Sequence, residues 1–196
     1  MDDVADMTGG AAVGDADDHE ATRLALHAGR GDQTAMTALV RRTQADVWRL
    51  CAYLADPASA DDLTQDTYLR AFRSLHTFRG DSSVRTWLLT ITRRVVADHI
   101  ARRQKDRTMF APATESPEEP TVADHADRHA DGHSVRALLA HLDEDRRTAF
   151  VLTQLLGYSY AEAATVCACP VGTIRSRVAR AREDLVPHVT AQRRAG

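Results

Sequence analysis

Apolar residues recur at spacings of three and four through residues 20–105 and again from residue 134 onward. This is the period of an amphipathic α-helix, and no stretch of the chain alternates apolar and polar residues as a half-buried β-strand does. Turn-forming residues at 29–31, at Asp56 and Pro57, and in the segment 77–83 divide the first block into four helices. The pattern therefore predicts an all-α fold of two small helical domains without internal repeats.

Two segments lack this pattern and are acidic. Residues 1–19 contain six Asp and neither Lys nor Arg, and residues 107–133 contain three of the six prolines. We therefore expect a disordered extension at 1–19, a domain at 20–106, a flexible acidic linker at 107–133, a domain at 134–190 and a tail at 191–196. The folded parts carry the positive charge of a chain whose net charge is −3, as in nucleic-acid-binding proteins.

The third predicted helix begins at Ser59 and runs to about residue 76. Its surface strip of acidic, amide and leucine side chains has a composition that suits protein docking. The alternative is that these residues form an ordinary solvated helix face with an Asp66–Arg70 ion pair, and physical chemistry alone favours this alternative. The strip consists of Asp62, Gln65, Asp66, Leu69 and Arg73.

The fourth predicted helix, over about residues 84–105, has two apolar faces with a narrow polar strip between them that contains Arg93 and Arg94. It ends in a basic run at 102–105 and follows a loop that contains Phe78. Basic residues beside an exposed aromatic side chain suit single-stranded nucleic acid, which is bound by phosphate contacts and base stacking. Trp87 lies on an apolar face, which favours a core position over a stacking role.

The second domain carries the pattern of a helix-turn-helix. Ser159 and Glu162 form a capping box, 167–169 form the turn, and Pro170 suits the first position of the next helix. That helix buries one apolar face and presents small polar residues flanked by arginines, which can bond phosphates or guanine edges. The alternative is an ordinary amphipathic helix with a solvated arginine face, but the complete arrangement favours DNA binding.

Other chemistries find little support in the sequence. No apolar run approaches the roughly 20 residues of a membrane span, and the N-terminus has none of the regions of a signal peptide. Three cysteines, an odd number, indicate a reducing cytoplasm. Cys167 and Cys169, or the linker residues His125, His129 and His133, lack the usual grouping of a zinc site. We predict no metal, no cofactor and no enzymatic activity.

Four blocks, DDLTQDTYLRAF, FRGDSSVRTWLLTI, an acidic Pro-containing linker and LLGYSYAEAATVCACPVGTIRSRVARARE, resemble the extracytoplasmic-function (ECF) sigma factors of bacteria. The resemblance covers about residues 20–106 and 134–188 in the family's order and spacing. It implies a cytoplasmic protein, monomeric when free, that binds core RNA polymerase, directs it to promoters and helps to open the DNA. The implied contacts are the clamp helices of the largest subunit, the flap of the second subunit, and promoter DNA in double- and single-stranded form.

The resemblance also assigns residues to three surfaces. Arg94 departs from the pattern, because many relatives carry Asn there, which leaves the base preference at the minus-ten element open. Many relatives are held inactive by an anti-sigma factor, and the sequence identifies no such partner. The core polymerase surface comprises Asp62, Leu63, Gln65, Asp66, Leu69 and Arg73; the minus-ten surface Phe78, Arg79, Gly80, Ser82, Arg93, Arg94, Asp98 and Arg102; and the minus-thirty-five surface Gly172, Thr173, Arg175, Ser176, Arg177, Ala179 and Arg180.

Two other hypotheses stay open at this point. One is a stand-alone helix-turn-helix regulator whose N-terminal domain senses a ligand or dimerises. It binds a palindrome without polymerase, whereas a sigma factor binds DNA weakly until polymerase is added. The other is a metal- or redox-switched sensor built on Cys167, Cys169 and the linker histidines.

Overall fold

The computed structural model describes residues 9–110 and 130–195, with side chains for 16–109 and 135–190. These residues contain helices and no β-strand, which confirms the predicted all-α fold. The eight α-helices are α1 (Gly9–Ala28), α2 (Gln33–Leu54), α3 (Pro57–Ser74), α4 (Val84–Phe110), α5 (Ala130–Leu139), α6 (Glu144–Phe150), α7 (Tyr160–Cys167) and α8 (Val171–Ala195).

The first four helices form the N-terminal bundle, in which α2 packs against α1, α3 and α4. Asp32 caps α2 by accepting hydrogen bonds from the amides of Thr34 and Ala35. The predicted start of α3 at Ser59 is wrong. Asp56 is the N-cap and accepts from the Ser59 amide at 2.8 Å, and Pro57 takes the first helical position.

The acidic N-terminal segment differs from its predicted disorder. Helix α1 begins at Gly9, so residues 9–19 belong to it, while residues 1–8 lie outside the described range. Asp17 forms ion pairs with Arg42 of α2 and Arg85 of α4. The composition shows how many acidic residues the segment has, but not that Arg42 and Arg85 lie beside them in the fold. The predicted disorder is therefore wrong for residues 9–19.

The last four helices form the C-terminal bundle, in which α8 packs against α5, α6 and α7. Asp143 caps α6, and one turn of π-helix at Val151–Leu155 continues that helix. The capping box of Ser159 and Glu162 is present at the start of α7, and Ala168 ends that helix in the left-handed conformation at φ 51°. The helical spacing predicts a buried apolar stripe of Val171, Ile174, Val178, Ala181 and Leu185; the last four are buried, whereas Val171 is 37% exposed at the start of α8.

The two bundles lie against each other, with α7 packed on α4 and the π-helical turn on α2. The Tyr158 hydroxyl donates to Asp46 Oδ2 at 3.2 Å, and Arg93 Nη2 lies 3.9 Å from Asp145 Oδ1. The polar strip of α4, which the sequence leaves open, is therefore partly covered by the C-terminal bundle. Helix α4 continues to Phe110, into the predicted linker, and α5 begins within that linker at Ala130.

Candidate protein and nucleic-acid interfaces

Of the six α3 residues assigned to polymerase docking, four are exposed, Asp66 is half-buried and Leu63 is buried. Asp62 and Gln65 are exposed, and the Leu69 side chain is 58% exposed, a large fraction for a leucine. Leu63 is buried in the bundle, so it supports the helix from below and is no part of the exposed surface. An exposed leucine beside carboxylate, amide and guanidinium side chains has the composition of a protein-docking surface.

Arg70 links this strip to α4. Its guanidinium lies 3.0 Å from Asp66 Oδ2 on α3 and 2.7 Å from Asp98 Oδ2 on α4. The hydrogen bonds with Asp98 and Asp66 raise the pKa of Arg70. The i,i+4 pair predicted for Asp66 and Arg70 is present, and it also involves Asp98, a residue assigned to the minus-ten surface.

Trp48 on α2 is a surface residue that lies outside the three surfaces assigned from the resemblance. Its side chain is 39% exposed, and its indole Nε1 donates to Asp61 Oδ1 at 2.8 Å. Trp48, Asp61 and Gln65 line an open groove of about 520 Å³ beside the α3 strip. Cys51 and Ala52, three and four positions after Trp48, are buried, so helical spacing alone does not show that Trp48 is exposed.

The loop before α4 carries the residues assigned to capture of a DNA base, and its first residue is anchored by packing against α4. Phe78 is half-buried and packs on Trp87, with ring centroids 5.2 Å apart. Arg79 and Gly80 are exposed, and Gly80 adopts φ +80°, which glycine takes without strain. Ser82 is half-buried at the end of the same loop.

The four α4 residues assigned to the minus-ten element differ in accessibility. Arg94 and Arg102 are exposed, and Asp98 is exposed although it pairs with Arg70. Arg93 is only 29% exposed, because it lies against Asp145 of α6, and its buried Nε has no hydrogen-bond partner. Three of the four side chains are thus accessible with the bundles in contact.

Helix α8 presents its assigned DNA-reading face outward. Gly172, Arg175, Ser176, Ala179 and Arg180 are exposed, and Thr173 is half-buried. Arg177 is held back from solvent, since it pairs with Asp145 and donates to Cys169 Sγ at 3.6 Å. The surface that remains is small, polar and flanked by guanidinium groups, so the helix can approach the floor of a major groove closely.

Comparison with known proteins agrees with this geometry. Residues 39–106 match the family model of sigma-70 region 2, and residues 133–185 match that of sigma-70 region 4. The chain is 52% identical over 174 residues to the ECF RNA polymerase sigma factor SigC of Mycobacterium tuberculosis, a match that covers 87% of this chain and 91% of that protein. The chain belongs to the ECF family of RNA polymerase sigma factors.

Further relatives of this sigma factor are more distant. It is 35% identical over 172 residues to the RNA polymerase sigma-H factor of Pseudomonas aeruginosa, covering 80% of this chain and 86% of that one. Its fold resembles CnrH in complex with the cytosolic domain of CnrY, with a TM-score of 0.69 at 26% identity over 88% of this chain and 98% of that one. It also resembles the sigma factor RpoE in complex with the anti-sigma factor NepR from Bartonella quintana, with a TM-score of 0.66 at 26% identity over 79% of this chain and 96% of that one.

The cysteines of this sigma factor lie in packed surroundings. Cys51 and Cys167 are buried, and burial raises the pKa of their thiols to about 12 and about 11. Cys169 is half-buried. Among the residues whose side chains are described, no three His, Cys, Asp or Glu residues group as metal ligands, and the three linker histidines lie outside that set. Within the described helices, none is both long and apolar enough to span a membrane.

Proposed function

We propose that this ECF sigma factor acts in the cytoplasm as a promoter-specificity subunit. It binds RNA polymerase through α3 and promoter DNA through α4 and α8. The observation that carries this proposal is the presence of a docking strip and two arginine-bearing surfaces on two helical bundles. Such a protein works by binding and positioning, and the polymerase supplies the chemistry.

For polymerase docking, the proposed surface is Asp62, Gln65, Asp66, Leu69 and Arg73. Its exposed carboxylates favour a partner with basic side chains, and its leucine offers apolar area to bury. The clamp helices of the largest polymerase subunit are the proposed partner, and the C-terminal bundle is proposed to reach the flap of the second subunit. This surface is accessible with the two bundles in contact, so docking requires no rearrangement of the N-terminal bundle.

For the minus-ten element, the proposed surface is the loop at 78–83 with Arg93, Arg94, Asp98 and Arg102. The exposed loop captures an unstacked base of the non-template strand, and the arginines hold the phosphates of that strand. Strand opening then needs no catalysis, because the binding energy of the captured strand offsets the cost of unpairing. Arg93 reaches DNA only when α6 moves away from α4.

For the minus-thirty-five element, the proposed reader is the outer face of α8. Thr173, Arg175, Ser176 and Arg180 contact base edges, while Gly172 lies near phosphates and Arg177 reaches them once its ion pair with Asp145 opens. Ala179 leaves the space that lets the helix lie deep in the groove. Arginine bonds guanine through two parallel hydrogen bonds, so Arg175 and Arg180 favour guanine in the element they read.

An anti-sigma factor is the proposed regulatory partner, supported by the likeness to a sigma factor solved in complex with one. The central experiment is transcription in vitro with core polymerase and a library of genomic fragments. We expect promoter-specific initiation with the wild-type protein and its loss with the Asp62→Ala/Gln65→Ala double variant. Specific binding of a palindromic DNA by the free protein, without initiation when polymerase is present, would instead establish a stand-alone regulator.

A further inference from the structure

Helix α1 lies before residue 39, where the match to sigma-70 region 2 begins, so the family match assigns it no role. In the structure α1 contacts the start of α4 and the loop that precedes α4. The Val84 amide, the first of α4, donates to Thr22 Oγ1 at 3.1 Å. A residue of α1 thus provides the acceptor for an amide that is 62 positions away in sequence.

This hydrogen bond fixes where α4 begins. The first amides of a helix have no partner within it and need an acceptor from outside. Ser83 Oγ accepts from the Thr86 amide at 3.2 Å, and Thr22 accepts from Val84. Val84 is fully buried, so water does not reach its amide as a substitute. Without the Thr22 hydroxyl, the first turn of α4 leaves a buried donor unpaired.

Ion pairs hold the same turn to α1 and α2. The Arg85 side chain is 17% exposed, and its Nη1 lies 2.6 Å from Asp46 Oδ2 of α2. Its Nε lies 3.1 Å from Asp18 Oδ1, and its Nη2 pairs with Asp17, both of α1. The guanidinium therefore faces three carboxylates from two other helices, which restrains the direction in which α4 leaves the loop.

The loop itself lies over α1. A methyl group placed on Gly80 would meet side-chain atoms of Leu26 and Thr22 at 3.9 Å, so the exposed tip of the loop rests on this helix. A loop that captures a base loses less conformational freedom on binding when it is already held in its bound position. Helix α1 supplies that support from residues that carry no DNA contact in the proposed function.

We propose that α1 is the positioning element of the base-capturing loop, with Thr22 and Asp17 as its positioning residues. The inference rests on the proposed function, since it assumes that the loop at 78–83 captures the unstacked base. It gives the acidic N-terminal segment a role in strand opening. Thr22 and Asp17 act through Val84 and Arg85 and do not touch the DNA.

The test compares Thr22→Val, which removes the acceptor at constant shape, with Thr22→Ser, which keeps it. Thr37→Val is the matched control, because the Thr37 hydroxyl only donates to Gln33 within α2. The assay is permanganate footprinting of unpaired thymines in polymerase complexes, on a promoter recovered with the wild-type protein. Leaving a buried donor unpaired predicts about ten-fold less open complex for Thr22→Val. Thr22→Ser and Thr37→Val open the promoter as the wild type does.

A second pair of variants tests the ion pairs, and it keeps the inference testable if Thr22→Val fails to fold. Asp17→Asn removes a carboxylate that pairs with Arg85 and Arg42, whereas Glu20→Gln removes one whose ion pair, among the described side chains, is with exposed Arg23 on the same helix. Of these two variants, we expect Asp17→Asn to reduce promoter opening and Glu20→Gln to leave it unchanged. Affinity for core polymerase and for double-stranded minus-thirty-five DNA stays unchanged in both variants, which a general loss of structure would not allow.

The outcomes separate the two proposals. If the wild-type protein opens no promoter with core polymerase, the proposed function fails. If it opens one, and Thr22→Val and Asp17→Asn open it equally well, α1 has no positioning role. Equal losses in polymerase binding and in opening would also overturn the inference, because they would show that α1 only maintains the fold.

Discussion

Truncation of Leu69 tests the docking strip with a change that leaves the free protein intact. Full burial of a leucine contributes about 1.5–3 kcal/mol. The Leu69 side chain is 58% exposed in the free protein, so its burial against polymerase contributes roughly 1–1.7 kcal/mol. Alanine retains part of this area, and Leu69→Ala is therefore expected to lose about 1 kcal/mol of binding free energy, or roughly a five-fold increase in Kd.

The assay is the fluorescence anisotropy of labelled sigma factor titrated with core polymerase. Met109→Ala is the control, because Met109 is 67% exposed near the end of α4 and lies outside the strip. Both side chains are mostly exposed in the free protein, so the melting temperature stays within about a degree of the wild-type value. The docking assignment is refuted if Leu69→Ala binds polymerase as tightly as Met109→Ala, or if its affinity and melting temperature fall together.

Three further predictions follow from the structure. Arg180→Ala weakens holoenzyme binding to a recovered promoter about ten-fold, with little change on unrelated DNA, as measured by gel shift; equal losses on both would mean a phosphate contact. Burial and the charges of neighbouring acids raise the pKa of Asp18 above its usual 3.8. Protonated Asp18 therefore adds to the free energy of unfolding below pH 3.8, and this contribution is lost as the pH rises through the raised pKa. Asp18→Asn is expected to remove this pH dependence from the free energy of urea unfolding, and an unchanged pH dependence contradicts the assignment. Cys169 reacts first with an alkylating reagent at about pH 8, well before buried Cys51 and Cys167, and three free thiols without bound zinc contradict a metal- or redox-sensing role.

The helices with strong local signals were predictable from the sequence. The capping box of Ser159 and Glu162 is present, and the buried stripe of α8 follows the predicted spacing from Ile174 to Leu185. These features depend on hydrogen bonds and side-chain spacings within a few residues. The all-α fold and the family were therefore accessible before any coordinates.

Residues of the proposed surfaces were harder to place. Leu63 and Leu69 lie on the same helix, and the sequence assigned both to polymerase docking, yet one is buried and the other is exposed. Trp48 has the buried residues Val47 and Cys51 near it on α2, yet it is exposed beside the docking strip. Arg93 was expected on the open side of α4, and α6 covers it. Each outcome depends on which helix packs nearby, and local periodicity carries no such information.

The sequence by itself determined the helical period, the capping box of Ser159 and Glu162, the arginine-bearing face of α8 and membership of the ECF family, because these follow from spacings and motifs that are read along the chain. Only the tertiary structure decided that the acidic segment joins α1 and supports α4. That order depends on Asp17 meeting Arg42 and Arg85, which lie 25 and 68 residues away along the chain. A charge that composition counts as solvated becomes a structural contact once the fold brings its partner beside it.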